Sequence, residues 1–452
     1  MTTQNKTINH HLFINVFKRH FIPVLTGGLL FVSTVNAQER SITLNEAIRL
    51  GQQNSKVLKL SQARIDEAVT EYDLAKDGGK LSGKASYGYN RAEIPANKLQ
   101  FGKTTFALPT SADAYLGTLS LSQVIFGGNR LKYAEQSTEL LTQVARLDAT
   151  KDKDQITYDI INSYYNLYKV LQSKKVVNQN LGTIDKQIKQ SQRFFDQGLV
   201  TKNDVLRFQL QRANIELNEI DLETNRKIIN YNLNILLGLP ESTQLTINEV
   251  SEPNRTLGSL SSYIDSALAN RNEVKSLDLR TRVAETNINN IKANTLPTLA
   301  ASGSAYYVDV NANPIPKSGS YITPISVGLT AAWNFDALWK NKNKLAQAKV
   351  QREEVVINKD ITIDNVKREV NQNYQNYTMA LDKIRLLQTS IAQAGENNKI
   401  LESKYQSNIA SATDRADAET LLYQAQINLE LAKADAGLAY YTLLNSMGKL
   451  NK

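Results

Sequence analysis

The chain has 452 residues, 53 Lys+Arg against 44 Asp+Glu for a formal net charge of +9, no Cys and only three His. The three are His10, His11 and His20, so everything beyond residue 20 can form no disulfide, no Cys- or His-ligated zinc site, no thiol nucleophile and no Ser-His-Asp triad. A mean hydropathy of −0.37 excludes a multi-span helical membrane protein.

The first segment carries Lys6, Lys18 and Arg19 and no acid, then an apolar run from Phe21 to Val35 that ends Val35-Asn36-Ala37. This is the pattern of a secretory signal peptide over 1–37, with Gln38 starting the mature chain. Pro23, Gly27 and Gly28 interrupt the run, which is short for a bilayer span; the alternative is an N-terminal anchor helix. No Cys follows the cleavage site, so no lipidated N-terminus is expected. Removing the leader takes away three positive charges and leaves +6.

A helical pattern spans about 44–77, and an alternating segment follows at about 81–90. Residues 91–112 are rich in Pro, Gly, Ser and Asn and read as a loop. A second alternating segment covers about 114–126, where Tyr115, Leu119, Leu121 and Ile125 interleave with Thr118, Ser120 and Ser122. No Pro occurs between 110 and 239, and Pro inside a helix costs about 3 kcal/mol. Ile160, Tyr164, Leu167 and Leu171 form a seam of helical spacing, so a helix is expected over about 127–197. At 1.5 Å per residue it would be roughly 100 Å long. Gly198 marks a turn, Thr201-Lys-Asn-Asp204 is a helix start signal, and a second helix runs over about 201–237 to Gly238-Leu-Pro240. A polar linker follows at 239–262.

The remainder repeats the order. A helix is expected at about 262–294, strands at about 299–309 and 322–335, and helices at about 338–407 and 411–447, the last opened by Ser411-Ala-Thr-Asp414. In the second strand Ile325, Val327, Leu329, Ala331, Trp333 and Phe335 alternate with Ser326, Gly328, Thr330, Ala332 and Asn334. The basic run Lys340-Asn-Lys-Asn-Lys344 reads as a solvated face, and no nucleic-acid partner is expected.

Several positions of the two halves match at a fixed spacing. Phe195 and Asp204 correspond to Tyr405 and Asp414, and Tyr164 and Gly238 to Tyr374 and Gly448, at an offset of 210. Val57, Leu60 and Tyr89 correspond to Val274, Leu277 and Tyr306 at an offset of 217. Two structural repeats, 38–250 and 251–452, are therefore expected. Each of the four alternating segments has about the length of a tilted transmembrane strand. Aromatics lie towards their ends: Tyr87, Tyr89, Tyr115, Phe126, Tyr306, Tyr307, Tyr321 and Trp333. A soluble sheet with one buried face fits the alternation equally well. If the strands do enter a membrane, four cannot close a barrel, so several chains must share one.

Several pieces together resemble the TolC-like outer-membrane efflux protein family: Leu44-Asn-Glu-Ala-Ile48, Ser120-Leu-Ser-Gln-Val-Ile-Phe-Gly-Gly128, Phe195-Asp-Gln-Gly-Leu-Val-Thr-Lys-Asn-Asp-Val-Leu206 and Leu236-Leu-Gly-Leu-Pro240. The resemblance covers essentially the whole mature chain. It implies a mainly α fold with a β-barrel portion, in which long antiparallel helical hairpins build a periplasmic α-barrel. Four transmembrane strands per chain would complete a 12-stranded barrel in a homotrimer. It further implies a Gram-negative outer membrane, contact with its lipid, and the role of a passive exit duct. The duct would serve a tripartite efflux pump or a type I secretion system, joined to the inner-membrane pump by a periplasmic adaptor.

By the same resemblance, Asp414 and Asp417 stand where the family places an acidic ring at the periplasmic gate, although Asp414 also reads as the cap of its own helix. Asp204 reads chiefly as a cap. Tyr405 matches an aromatic that links neighbouring helices of the closed tip, or else is a core tyrosine, and Gly198 lies at the turn. At the family's basic gate residue this sequence has Ala410, a departure from the family's closed-state network. The second strand-to-helix junction keeps Phe335 but lacks paired glycines. Trp333, Trp339, Tyr87, Tyr115 and Phe126 are expected at the membrane interface. No cofactor or metal is expected, and no motif supports an enzyme. A periplasmic coiled-coil scaffold or adaptor is the alternative; it accounts for the helices but not for four alternating segments.

Overall fold

The computed structural model describes residues 39–93, 95, 98–107, 111–247, 256–313 and 321–451. The expected signal peptide and the middle of the 239–262 linker lie outside them.

Chain order begins with β1 (Glu39–Ser41), α1 (Leu44–Asn54), α2 (Lys56–Asp77), β2 (Ser82–Glu93), β3 (Lys98–Phe101), β4 (Thr104–Ala107) and β5 (Ser111–Phe126). The first long hairpin is α3 (Arg130–Asp196) with α4 (Lys202–Leu237), followed by β6 (Gln244–Thr246). Then come α5 (Leu260–Asn270), α6 (Asn272–Ala293), β7 (Thr298–Asn313), β8 (Ile325–Ala332) and the second hairpin, α7 (Ala337–Gln406) with α8 (Ala412–Ser446). Among the described residues no helix is long and apolar enough to cross a membrane.

Each shorter helical stretch is two helices, not the single one expected. Ser55 is extended (φ −60°, ψ 120°) and its hydroxyl accepts from the Leu58 N–H, ending α1 and capping α2. Arg271, equally extended, separates α5 from α6. Neither break involves Pro or Gly. Both are held by distant parts of the chain: Asn54 Nδ2 donates to the Leu237 carbonyl at 2.7 Å, and Arg271 bridges Glu369 and the Ser446 carbonyl. The tertiary contact overrides local propensity.

The main core lies where these short helices meet the roots of the hairpins. Ile160, Ile161, Tyr164, Leu167, Leu233, Leu237, Ile42 and Leu245 are buried there, with Leu171 packed against them. β1 and β6 pair in parallel and frame this core, an association of two three-residue segments about 200 positions apart that carries no local sequence signal. Asn230 secures it by donating to the Thr243 carbonyl (2.7 Å) and accepting from the Leu245 N–H (2.8 Å). α8 packs against both α7 and α3 through an alanine-rich face that includes Ala416, Ala425, Ala432 and Ala436. Small side chains allow this close helix approach. At Gly437 even a Cβ would collide with the Tyr165 ring.

β2, β5, β7 and β8 form one antiparallel sheet in that order. Its strands lead into helices at one end and into loops at the other. The 91–112 segment, expected as loop, contributes the end of β2, the hairpin β3–β4 and the start of β5.

Candidate functional site

Two places carry the chemistry: the sheet, and the far tips of the helical hairpins.

Opposed residues in a β-ladder point to the same face, so the register sorts the paired strand residues. One face collects Ala85, Tyr87 and Tyr89 of β2; Tyr115, Gly117, Leu119 and Leu121 of β5; Ala301, Gly303, Ala305 and Tyr307 of β7; and Ile325, Val327 and Leu329 of β8. The other collects Lys84, Ser86, Thr118, Ser120, Ser122, Ser302, Ser304, Ser326 and Thr330. Among the described residues nothing covers the apolar face: Val327 is 87% exposed and Ile325 79%. An uncovered apolar face across four strands is costly in water.

Tyr87, Tyr89 and Tyr115 sit at the loop end of this face, with Tyr89 and Tyr115 at 5.0 Å. Gly117 leaves room for its neighbours, since a Cβ there would lie 3.2 Å from Tyr307 Cβ. At the helix end the ladder shifts register between Val124 and Phe126. This bulge turns Phe126 onto the apolar face beside Leu299, where strict alternation would have sent it to the polar one. Trp333 follows β8, and its Nε1–H donates to the Thr295 carbonyl at 3.0 Å. Phe335 connects it to Trp339, at 6.4 and 5.9 Å. Eleven residues separate Tyr115 from Phe126. At about 3.3 Å per residue and a tilt near 40°, the aromatic levels are roughly 27 Å apart. Tyr306 opposes Thr118 and falls on the polar face, away from the other tyrosines.

At the tips, both turns have one geometry. Gly198 (φ +73°) and Asn408 (φ +59°) occupy the left-handed region. Leu199 N–H bonds the Phe194 carbonyl and Ile409 N–H the Lys404 carbonyl, at 2.9 and 2.8 Å. The Thr201 N–H and hydroxyl both donate to Asp204 Oδ2 (2.8 and 2.7 Å). Ser411 does the same to Asp414 Oδ2 (3.1 and 2.7 Å) and accepts from the Asp414 N–H. These bonds from Ser411 hold the Asp414 carboxyl below the usual carboxylate range. Asp414 therefore completes a capping box at the start of α8, whose N-cap is Ser411. It is also exposed, as is Asp417 one turn on.

Tyr405 is buried between the hairpins, its ring 5.8 Å from Phe194 and 5.9 Å from Phe208. Burial raises its hydroxyl above the ordinary tyrosine value. Ala410 packs at the edge of the same cluster. A guanidinium does cross the tip, but it comes from the other hairpin: Arg207 Nη1 bonds the Thr413 hydroxyl. Just above lies a group that residue patterns did not reveal. Arg415 and Glu419 are paired and buried in α8; Glu419 also accepts from Asn180 and Gln187 of α3 (3.3 and 3.2 Å), and Arg415 bonds Asn398 of α7. Polar residues at seam positions of α3 were the available signal.

Comparison with known proteins adds the context. The family model described as "Outer membrane efflux protein" matches residues 47–239 and 263–449. The outer membrane efflux protein BepC of Brucella suis is 21% identical over 431 residues, covering 94% of this chain and 89% of that one. Among solved structures, the Vibrio cholerae outer membrane protein VceC superposes with a TM-score of 0.74 at 18% identity, over 90% of this chain and 96% of that one. The Campylobacter jejuni CmeC outer membrane channel gives 0.73 at 14% identity, over 97% and 94%.

Proposed function

The chain belongs to the outer membrane efflux protein family, and from that premise we propose that three copies form a duct whose opening is controlled at the periplasmic tip. Family membership places the protein in the outer membrane of a Gram-negative bacterium as an efflux channel, with its helical part in the periplasm. The assembly, its gate and its partners are our reading.

The observation that carries it is the sheet. Its apolar face is uncovered on all four strands, and β2 and β8 are its edges. In hydrocarbon an open edge is intolerable, so β8 of one copy pairs with β2 of the next until the ring closes at twelve strands. The apolar face meets lipid and the serine-rich face lines water. Tyr87, Tyr115, Phe126, Trp333 and Trp339 mark the interfaces. Exposed apolar residues of α4, among them Leu206, Leu210, Leu217, Ile228 and Ile235, supply the seam between copies. The matched turns and caps support internal duplication, with repeats at 38–250 and 251–452 behind a cleaved leader at 1–37. A periplasmic scaffold would leave the sheet without a role.

At the tip, Asp414 and Asp417 of three copies put six carboxylates round one opening, where they attract cations. Tyr405 and the Arg207–Thr413 bond hold the second hairpin against the first, and opening parts them. A periplasmic adaptor engages the tips and couples the duct to an inner-membrane pump or a secretion transporter. The test is fractionation and reconstitution. The mature chain should sediment with outer membranes, run as a trimer in mild detergent and conduct ions in planar bilayers. A soluble monomer without conductance would refute the reading.

A further inference from the structure

Residues 94–112 contain Lys98 and Lys103 and no acid. Within them β3 and β4 form a hairpin with Gly102 (φ +60°) in its turn. Leu99 opposes Phe106, and Phe101 opposes Thr104. By strand alternation these four share one face, while Lys98, Gln100 and Thr105 lie on the other. Leu99, Phe101 and Phe106 are 42%, 68% and 55% exposed. The hairpin is thus a small amphipathic ribbon with one apolar face, one polar face and two cations that form no ion pair among the described residues. It connects β2 to β5 at the loop end of the sheet, opposite the helices, after Tyr87 and Tyr89 and before Tyr115 in the chain.

We propose that this hairpin lies flat on the outer leaflet of the membrane, with Leu99, Phe101 and Phe106 among the acyl chains and Lys98 and Lys103 paired to the phosphates of a phosphorylated glycolipid. The inference rests on the outer-membrane placement above. Two observations select a lipid surface as the occupant. The charge is wholly cationic, which complements phosphate-bearing headgroups. The apolar side chains form one continuous face, on an element that joins β2 to β5 at the end of the sheet where Tyr89 and Tyr115 stand. An interfacial element combines aromatic side chains on one face with Lys on the polar side in this way, and the Lys stems reach the headgroup level by extending along the apolar surface. Three copies would fix the barrel mouth to the leaflet at three points and set its depth.

The absence of Cys makes the test direct. Thr104→Cys, on the apolar face, accepts a single polarity-sensitive fluorophore in the full-length trimer. In phosphatidylcholine vesicles containing lipid A, label emission should shift to the blue and be quenched by nitroxides carried on lipid acyl chains. In phosphatidylcholine alone the shift should be much smaller. Lys98→Gln with Lys103→Gln should lower the lipid A dependence, and Leu99→Ser with Phe101→Ser and Phe106→Ser should abolish the shift. Inorganic phosphate should have no effect. A label with the same aqueous emission in both vesicles overturns the proposal, as does a phosphate-induced shift. A shielded label that lipid-borne quenchers do not reach also overturns it, because the hairpin would then be folded into the barrel mouth or against another copy. Conductance of the same preparation separates the two failures: a conducting trimer with an aqueous label refutes the hairpin placement alone, whereas no conductance refutes the proposed function and this inference with it.

Discussion

The Arg415 guanidinium lies 3.0 Å from the Glu419 carboxylate, with the two side chains only 4% and 5% exposed. A buried pair of this kind contributes little net stability, but removing one partner strands a charge at a cost of about 3–5 kcal/mol. Glu419→Ala should therefore lower hydrogen-exchange protection in α8 by about that amount. Arg415→Met with Glu419→Met should lose far less. If the single and double variants exchange alike, a stranded charge is not the source of the loss.

Tyr405 is 2% exposed and fills the space between Phe194 and Phe208. Truncating a buried aromatic costs about 3–5 kcal/mol. Tyr405→Ala should free the second hairpin and raise single-channel conductance, whereas Tyr405→Phe should conduct as the native protein does. Equal conductance in all three would place Tyr405 in the core without a part in closure.

Asp414 has two assignments that separate experimentally. As the N3 member of the capping box it accepts from the Ser411 N–H and hydroxyl, and Asp414→Asn should lower thermal stability slightly by weakening those bonds. Its bonds from Ser411 depress its pKa, so this contribution is present above the ordinary carboxylate value and is lost as pH falls below it. Asp417 makes no such bond among the described residues, so Asp417→Asn should weaken cation block of the current without changing thermal stability. Unchanged block in Asp414→Asn with Asp417→Asn would remove the acidic ring.

Gly198 and Asn408 hold the same left-handed conformation in the two turns, and nothing lies within 4 Å of a Cβ built at Gly198. Gly198→Asn should be nearly neutral, and Gly198→Val should cost about 1–2 kcal/mol from backbone strain alone. Gly238→Ala should be worse than either. Its Cβ would meet Asn54 Cβ at 2.7 Å, and Asn54 is fixed by its bond to the Leu237 carbonyl. Melting temperatures of the three variants give the order.

Glu223 binds Arg226 on its own helix and Lys174 on α3 (2.8 and 2.7 Å), and Arg226 chiefly holds its pKa down at about 2. A depressed carboxylate stabilises the fold above its unfolded value of 4.5. The stability gap between the native protein and Glu223→Gln should be constant near neutrality, shrink as pH falls below about 4.5, and vanish near pH 2. A gap that grows on acidification would contradict the pairing.

The amino-acid sequence by itself determined what depends on neighbours along the chain. Proline-free stretches and seams such as Ile160, Tyr164 and Leu167 are local features, and they specify the helices of both hairpins. The capping pairs Thr201/Asp204 and Ser411/Asp414 mark where those helices restart. The alternation from Ile325 to Ala331 and from Tyr115 to Leu121 specifies two-faced strands. Tertiary structure decided what depends on residues far apart. The breaks at Ser55 and Arg271 contain no Pro or Gly, and distant hydrogen bonds hold them. Phe126 reaches the apolar face only because a bulge shifts the β5–β7 register. Arg207 meets Thr413, and Glu419 meets Asn180 and Gln187, across about 200 positions or more of chain. Periodicity reports which face of an element is buried. It does not report which partner covers that face, because the pairing is chosen by the packing of the whole chain.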